Sequence, residues 1–236
     1  MELDKTVRFV VATEHTQKSF VNAEFYKFKQ RADIDTPFTN NFAFNLFYEN
    51  KKGLSAIYNQ FIAEKYKDDY VVFVHDDVLI ADIFAYDKIV DGLSKYAIIG
   101  LAGTTKIVHT DYPAWHIMAG WQIPGVGKKY SVGEVAHKLN DGNITTSVYG
   151  PIGGRALLLD GLFIGVNVNS LLQANVRFDE DFNFHHYDLS FCLRSNEAKL
   201  KMGVIQLFCT HSGLGDSMHS EEWKQSAIKF KQKYLK

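Results

Sequence analysis

A run of β-branched and aromatic residues, Tyr70-Val71-Val72-Phe73-Val74, stops abruptly at His75-Asp76-Asp77, and no other stretch limits the architecture as strongly. The run is continuous rather than alternating, so both faces of the strand need cover, as in a largely parallel sheet packed between helices. Ligands of open α/β sheets collect beyond the carboxyl ends of the strands, and the two acids lie at that end. Carboxylates there suit a hard divalent cation, Mg²⁺ or Mn²⁺, that keeps open positions for phosphate oxygens. A plain solvated turn accounts for the Asp-Asp pair equally well.

Around this strand the hydrophobic pattern predicts an alternation of strands and helices. Val7 to Ala12 reads as a first strand, placed centrally and closed by Thr13-Glu14-His15-Thr16. Phe42 to Tyr48 reads as a second, followed by the polar loop Glu49-Asn50-Lys51-Lys52-Gly53. Ser55 is the expected cap of a helix reaching Asp68, with Ile57, Tyr58, Phe61 and Ile62 at helical spacing. Strand, loop, helix and the strand ending in His75-Asp76-Asp77 make a right-handed βαβ unit. Further strands are expected at Ala97 to Ala102, at Leu157 to Val168 with an interruption at Asp160-Gly161, and at Met202 to Cys209. Helices are expected from Tyr187 to Lys199 and from Ser220 onward, the latter with Trp223, Ala227, Phe230 and Tyr234 on one face. Gly103 to Gly154 is rich in Gly, Trp, Tyr and His without helical periodicity, which reads as short strands and loops over a pocket. No repeat or linker divides the chain, so one domain over residues 1–236 is expected.

With 46% apolar and 14% aromatic residues, the chain has ample material for one sizeable core. Its 26 basic and 27 acidic side chains leave a net charge of -1, which exerts no general pull on a polyanion and disfavours nucleic acid as a partner. Lys224, Lys229, Lys231 and Lys233 form a stripe that is either a local basic surface or a solvated helix face. Cys192 and Cys209 lack Cys-x-x-Cys spacing, so both are expected in the core rather than on zinc or in redox chemistry. Met1-Glu2-Leu3-Asp4-Lys5 has no apolar leader and no run reaches a bilayer-spanning length, so a cytoplasmic protein is expected, at most peripheral at a membrane surface. Gly150-Pro151-Ile152-Gly153-Gly154-Arg155 lacks the Gly-Lys-Ser/Thr of a phosphate loop. Neither a dinucleotide fingerprint nor a Gly-x-Ser-x-Gly nucleophile elbow occurs.

Several side chains can carry chemistry. Asp188 opens a helix whose dipole favours its ionised form, which serves a cap or a general base alike. His211 ends another strand and is followed by Gly213 and Gly215, a setting for a metal ligand or a surface histidine. His185 and His186 are adjacent and point in different directions, so one is expected to face a cleft and neither to bind metal. Glu49, Asn50 and Ser55 to Asn59 offer groups for a base and ribose, although Asn59 can instead satisfy backbone. Trp115 and Trp121 suit either sugar stacking or the core.

The order of these pieces resembles a nucleotide-sugar glycosyltransferase of the GT-A fold, close to the family 2-like bacterial enzymes. Leu54-Ser55-Ala56-Ile57-Tyr58-Asn59 is similar to the small-residue Tyr-Asn helix of that pattern, and Phe73-Val74-His75-Asp76-Asp77-Val78 resembles the Phe-x-His-x-Asp-Val form of its metal motif. Ile99-Gly100-Leu101-Ala102-Gly103, Leu159-Asp160-Gly161-Leu162, Phe178-Asp179-Glu180, His186-Tyr187-Asp188-Leu189 and a strand ending near His211 follow in the family's order, covering residues 7 to 234. The resemblance implies an α/β, Rossmann-like nucleotide-diphospho-sugar transferase fold with a mixed, mostly parallel central sheet flanked by helices. It implies a nucleotide-binding half at 7–110, an acceptor-binding half at 111–219 and a C-terminal helix at 220–236. Asp77 and His211 would hold Mn²⁺ or Mg²⁺, and Asp188 would be the base of an inverting transfer. Thr13, Glu14, Glu49, Asn50, Ser55, Asn59, His75 and Asp76 would surround the nucleotide sugar; Trp115, Trp121, Asp160, Gly161, His185 and His186 would surround the acceptor. The implied donor is a nucleoside diphosphate sugar, UDP-linked first, and the implied acceptor a carbohydrate or other hydroxyl. A hydroxylated nucleic acid base and a non-catalytic nucleotide-sugar-binding module are the alternatives. The chain departs from the pattern twice: His75 replaces the first acid of Asp-x-Asp, and Tyr187 replaces the Glu that commonly precedes the base.

Overall fold

The structure, a computed structural model, describes residues 5–34, 41–139, 141–213 and 220–235. Met1 to Asp4 and Gly215, on which two of the expectations rest in part, lie outside the described residues. The first half contains β1 (Val7–Ala12), α1 (Glu24–Ile34), β2 (Phe42–Phe47), α2 (Leu54–Asn59), β3 (Tyr70–Val74), β4 (Val78–Ile80), α3 (Ala85–Lys95), β5 (Ile98–Gly100) and β6 (Ala102–Thr104). Then come α4 (Trp115–Met118), β7 (Ser131–Lys138), β8 (Ile144–Val148), β9 (Gly154–Ala156), β10 (Leu158–Leu159), β11 (Phe163–Asn167) and α5 (Val168–Gln173). The chain closes with α6 (Tyr187–Glu197), β12 (Met202–Val204), β13 (Cys209–His211) and α7 (Glu221–Tyr234).

Two sheets share these strands. The larger has the order β2-β1-β3-β11-β5-β12-β9, and the smaller has β10-β6-β7-β13-β4 with β8 added to β7. The larger sheet is mixed: β1 runs parallel to β2 and β3, and β12 to β5, while β11 and β9 run antiparallel to their neighbours. β3 is buried at every residue, as its unbroken apolar run requires. β1 is second from the edge rather than central, because β11, distant in sequence, inserts beside β3 and takes the middle.

Three stretches that read as single strands are each a pair of strands handing the chain from one sheet to the other. Ile98–Gly100 belongs to the larger sheet and Ala102–Thr104 to the smaller. Leu158–Leu159 and Phe163–Asn167 divide likewise around Asp160-Gly161, as do Met202–Val204 and Cys209–His211. β3 and β4 make a fourth crossing through His75-Asp76-Asp77.

The helix expected to reach Asp68 ends at Asn59, and a 3₁₀ turn follows at Glu64–Tyr66. Its cap is Gly53, not Ser55. Ser55 is wholly buried and donates to the Phe182 carbonyl at 2.7 Å, so it ties α2 to the loop before α6. Asn59 stops the helix by turning to another segment: its amide donates to the Phe178 carbonyl at 3.0 Å and accepts from the Phe178 N–H at 2.9 Å.

Aromatic side chains fill the core between sheet and helices. Phe9 meets Phe25, Phe28, Phe42 and Phe44 at 5.1–5.7 Å between ring centroids. Tyr58 stacks on Phe73 at 4.4 Å and Phe178 on Phe191 at 4.0 Å. Both cysteines are free and buried. α7, capped by Ser220, buries Trp223, Ala227 and Phe230 and is pinned by Asp179, which accepts from the Tyr234 hydroxyl at 2.6 Å and pairs with Lys233 at 2.7 Å.

Candidate active site

The crossings between the sheets bring distant residues to one place. Antiparallel pairing of β13 with β4 sets His211 opposite Val78, and the Ser212 N–H donates to the Asp77 carbonyl at 3.0 Å, so His211 lands beside Asp77. The His75 N–H donates to the Leu162 carbonyl at 3.1 Å, which fastens the end of β3 to the turn leading into β11. A cleft of about 740 Å³ opens there. Its lining includes Asp77, His211 and Asp188, together with His75, Asp160, Gly161, Trp115, Trp121, His185 and His186.

At one end, His211 Nε2 lies 3.2 Å from Asp77 Oδ2. His75, Asp77 and His211 each present a ligand atom, all within 4.8 Å of one another. Burial opposes ionisation of Asp77, but the His211 hydrogen bond and the nearby imidazoles hold its carboxyl below the usual range. Burial likewise opposes the charged form of His211, and the Asp77 carboxylate overcomes it and raises that pKa. Two further observations fit this set to a divalent cation. Asp77 Oδ1 is buried without a hydrogen-bond partner, an orphan that a cation would satisfy. A Cβ on Gly213 would stand 2.7 Å from both Asp77 Oδ2 and His211 Nε2, so the space beside the donors exists because position 213 has no side chain.

Asp188, in the first turn of α6, lines the same cleft. Burial, and after it the Asp160 carboxylate, push its pKa up to about 7, although backbone N–H groups of Leu189 and Gly161 counteract this. Such a group is a proton acceptor poised near neutrality. Behind it, His186 takes the left-handed conformation at φ +62° and lies against α7, with Nδ1 2.8 Å from the Ser226 hydroxyl. The same hydroxyl donates to the His185 carbonyl at 3.1 Å. Burial and the neighbouring His185 lower the His186 pKa to about 4.

Also lining the cleft, Trp115 meets Trp121 and Tyr149 edge to face at 5.6 and 5.1 Å. The Trp115 indole N–H donates to Asp160 Oδ2 at 2.6 Å and that of Trp121 to the Ser131 hydroxyl at 2.6 Å. Asp160 Oδ1 accepts from the Leu162 N–H at 3.0 Å. Both Asp160 oxygens are therefore engaged within the protein, and the indoles have only ring surface left to offer a ligand.

Thr13, Glu14, Glu49, Asn50, Ser55, Asn59 and Asp76 do not line the cleft. Thr13 donates to Asp76 Oδ2, and backbone bonds join Thr13 and His15 to Asn50 and Glu49, so four of these, Thr13, Glu49, Asn50 and Asp76, form one neighbourhood. Ser55 and Asn59 instead hold α2 to the 178–182 segment. Sequence reasoning missed His116, His137, Tyr149 and Phe184, all of which line the cleft. It also missed the Tyr187 hydroxyl, which lies 2.9 Å from His75 Nε2 and donates to the Gly161 carbonyl at 2.8 Å. Tyr187 carried a signal, since it stands where an acid was expected; the others carried none. The lysine stripe is neutralised: Lys224, Lys229, Lys231 and Lys233 pair with Glu221, Asp181, Asp111 and Asp179. No helix among the described residues is long and apolar enough to cross a membrane.

A search of curated proteins by sequence finds no match. Among solved structures, GalNAc-T7 with UDP, GalNAc and Mn²⁺ is similar with a TM-score of 0.52 at 11% identity, over 98% of this chain and 48% of that one. The mannosyltransferase PcManGT from Pyrobaculum calidifontis, in complex with GDP-Man and Mn²⁺, gives 0.48 at 11% identity over 96% and 65%. S. aureus TarS 1-349 with UDP gives 0.43 at 13% over 88% and 60%. The chain thus spans about half to two thirds of the length of these three proteins. The fold is that of the GT-A glycosyltransferases. A family model described as glycosyltransferase-like matches residues 42–234, from β2 through α7, and the chain belongs to that glycosyltransferase-like family.

Proposed function

We propose that the protein is a metal-dependent, inverting glycosyltransferase that moves a sugar from a nucleoside diphosphate, UDP first, onto a hydroxyl acceptor. The observation that carries this reading is the shared cleft of Asp77, His211 and Asp188, three side chains from separate stretches of sequence. The GT-A neighbour that carries UDP, a sugar and Mn²⁺ supports the donor class. In this reading residues 7–110 form the donor half, 111–219 the acceptor half, and 220–236 brace the wall behind the base.

The chemistry is a single displacement. Asp188 accepts the proton of the acceptor hydroxyl as that oxygen forms its bond to the anomeric carbon, and the bond from that carbon to the diphosphate oxygen breaks on the opposite face. Attack opposite the leaving group inverts the configuration. His75, Asp77 and His211 would hold the cation, which when bound neutralises charge growing on the departing diphosphate. Asp160 holds Trp115 in place, and Trp115, Trp121 and Tyr149 give the acceptor an aromatic wall. Paired lysines on α7 leave little to attract a phosphate backbone, which favours a carbohydrate over a nucleic acid base as acceptor.

A thermal-shift screen of nucleoside diphosphates with and without Mn²⁺, paired with a transfer assay, tests the reading. UDP is expected to raise the melting temperature in a Mn²⁺-dependent way. Asp188→Asn is expected to lose turnover while UDP binding survives. A variant with near-normal rate overturns the assignment of the base, and binding without turnover across a broad acceptor panel favours a non-catalytic module.

A further inference from the structure

We propose that the acceptor is an acidic carbohydrate, whose carboxylate or phosphate group is bound by Lys128 in the cleft and drawn there by Lys106 and Lys129 beside it. The inference rests on the reading of this cleft as the site of sugar transfer, and it names the class of molecule that receives the sugar.

Lys128 is the one lysine or arginine in the lining of the cleft among the described residues. Its Nζ lies 5.1 Å from the centre of the Trp121 ring and 5.6 Å from that of Tyr149, and it donates to the Val148 carbonyl at 3.2 Å. An ammonium has three hydrogens to give, so this single bond leaves donors to spare. The acids of the cleft do not take them. Asp160 is engaged by Trp115 and Leu162, Asp77 by His211, and no carboxylate pairs with Lys128 among the described residues.

Two more cations stand nearby. Lys106 and Lys129 place their ammonium groups 4.8 and 5.7 Å from the centre of a single ring, Tyr130, and neither pairs with an acid among the described residues. Gathering like charges costs energy that the faces of aromatic rings return only in part. The four lysines of α7 show the contrast, since each of them faces a carboxylate. A basic cluster left without counter-charges beside a cleft attracts anions and raises their local concentration.

Among anions, an acidic sugar matches the surroundings. The ammonium of Lys128 sits on aromatic side chains, and such amphipathic surfaces suit the faces of sugar rings. Three lysines are too few for the run of phosphate contacts that holds a nucleic acid strand, or for the basic clusters that gather at anionic membranes. The donor diphosphate has its place in the proposed reaction at Asp77 and His211. Contacts lead from His211 to Lys128 only through His137, whose ring is 5.8 Å from that of His211, and then Tyr149, whose hydroxyl is 3.5 Å from His137 Nε2.

Calorimetric titration of the Mn²⁺-loaded protein with a galacturonic acid oligomer and its methyl ester, and with a phosphorylated mannose oligomer and its unphosphorylated form, tests the assignment, because each pair differs only in charge. The acidic member of at least one pair is expected to bind roughly tenfold tighter at low ionic strength, a preference that fades in high salt. Lys128→Gln is expected to abolish the preference and leave UDP binding unchanged. Lys95→Gln, which removes an exposed lysine paired with Asp91 on α3, is expected to change neither. Equal affinities within both pairs overturn the proposal, as does a Lys128→Gln protein that keeps the preference or loses UDP binding. Tighter binding of a single-stranded oligonucleotide or of phosphatidylserine vesicles than of either acidic glycan also overturns it. A charge preference in a protein that transfers no sugar supports the binding assignment and sinks the proposed function. Sugar transfer to neutral glycans as fast as to acidic ones does the reverse.

Discussion

Replacing Asp188 by Asn is expected to make the protein more stable at pH 8 while removing its activity. The unfolded chain holds this carboxyl at an ordinary value of 3.8, and burial and Asp160 raise it in the fold to about 7. Between these values the folded state binds more protons than the unfolded one, so stability falls as pH rises through that window. Above pH 7 the ionised group costs the fold about 4 kcal/mol. Asn carries no charge and escapes that cost. Its single acceptor oxygen serves the surrounding backbone N–H groups less well, a loss of about 1–2 kcal/mol. The net gain at pH 8 is therefore roughly 2 kcal/mol, or a melting temperature higher by about 4–8 °C. At pH 5 the native carboxyl is already protonated, which relieves about 3 kcal/mol of the penalty and erases the advantage of the variant. Urea unfolding of both proteins at pH 5 and pH 8 measures this directly. A stability difference that does not change with pH, or a variant less stable at pH 8, refutes the claim that Asp188 is held above its ordinary value.

Two other outcomes are expected. The acid limb of kcat/KM should lie near pH 7, and Asp160→Asn should move it to lower pH, because a like charge beside Asp188 is gone; a pH–rate profile with an unmoved limb contradicts this. Asp179→Ala should lower stability by about 2 kcal/mol at neutral pH, since Tyr234 and Lys233 lose a buried partner. Lysine and tyrosine contacts hold the Asp179 pKa below its ordinary value against burial, so that contribution is present above the ordinary carboxylate range and fades on acidification. The gap between the two proteins in urea should shrink accordingly.

The elements legible in the sequence are those whose environment is set locally. β3 announces itself because both of its faces are buried, and α7 because its apolar stripe meets one surface. The junctions were not legible as such. Ile98 to Thr104 is buried throughout, and an unbroken apolar run looks the same whether it stays in one sheet or passes to a second. β11 was visible as a strand, but nothing local says that it inserts next to β3. The acids at the crossings could be named from chain order and residue type; their convergence is a property of strand pairing. Ser55 and Asn59 misled because a polar side chain near a loop looks the same whether it waits for a ligand or bonds to backbone far along the chain. His116 and His137 left no trace because single histidines in irregular segments have no pattern to violate.

The Ser226 hydroxyl, by grasping both residues that precede the Tyr187–Asp188 turn, links that turn to α7. The left-handed kink at His186 is unfavourable on its own and persists only where surroundings impose it. Part of that constraint comes from α7, so the shape of the loop aiming the carboxylate depends on a helix remote from it in sequence.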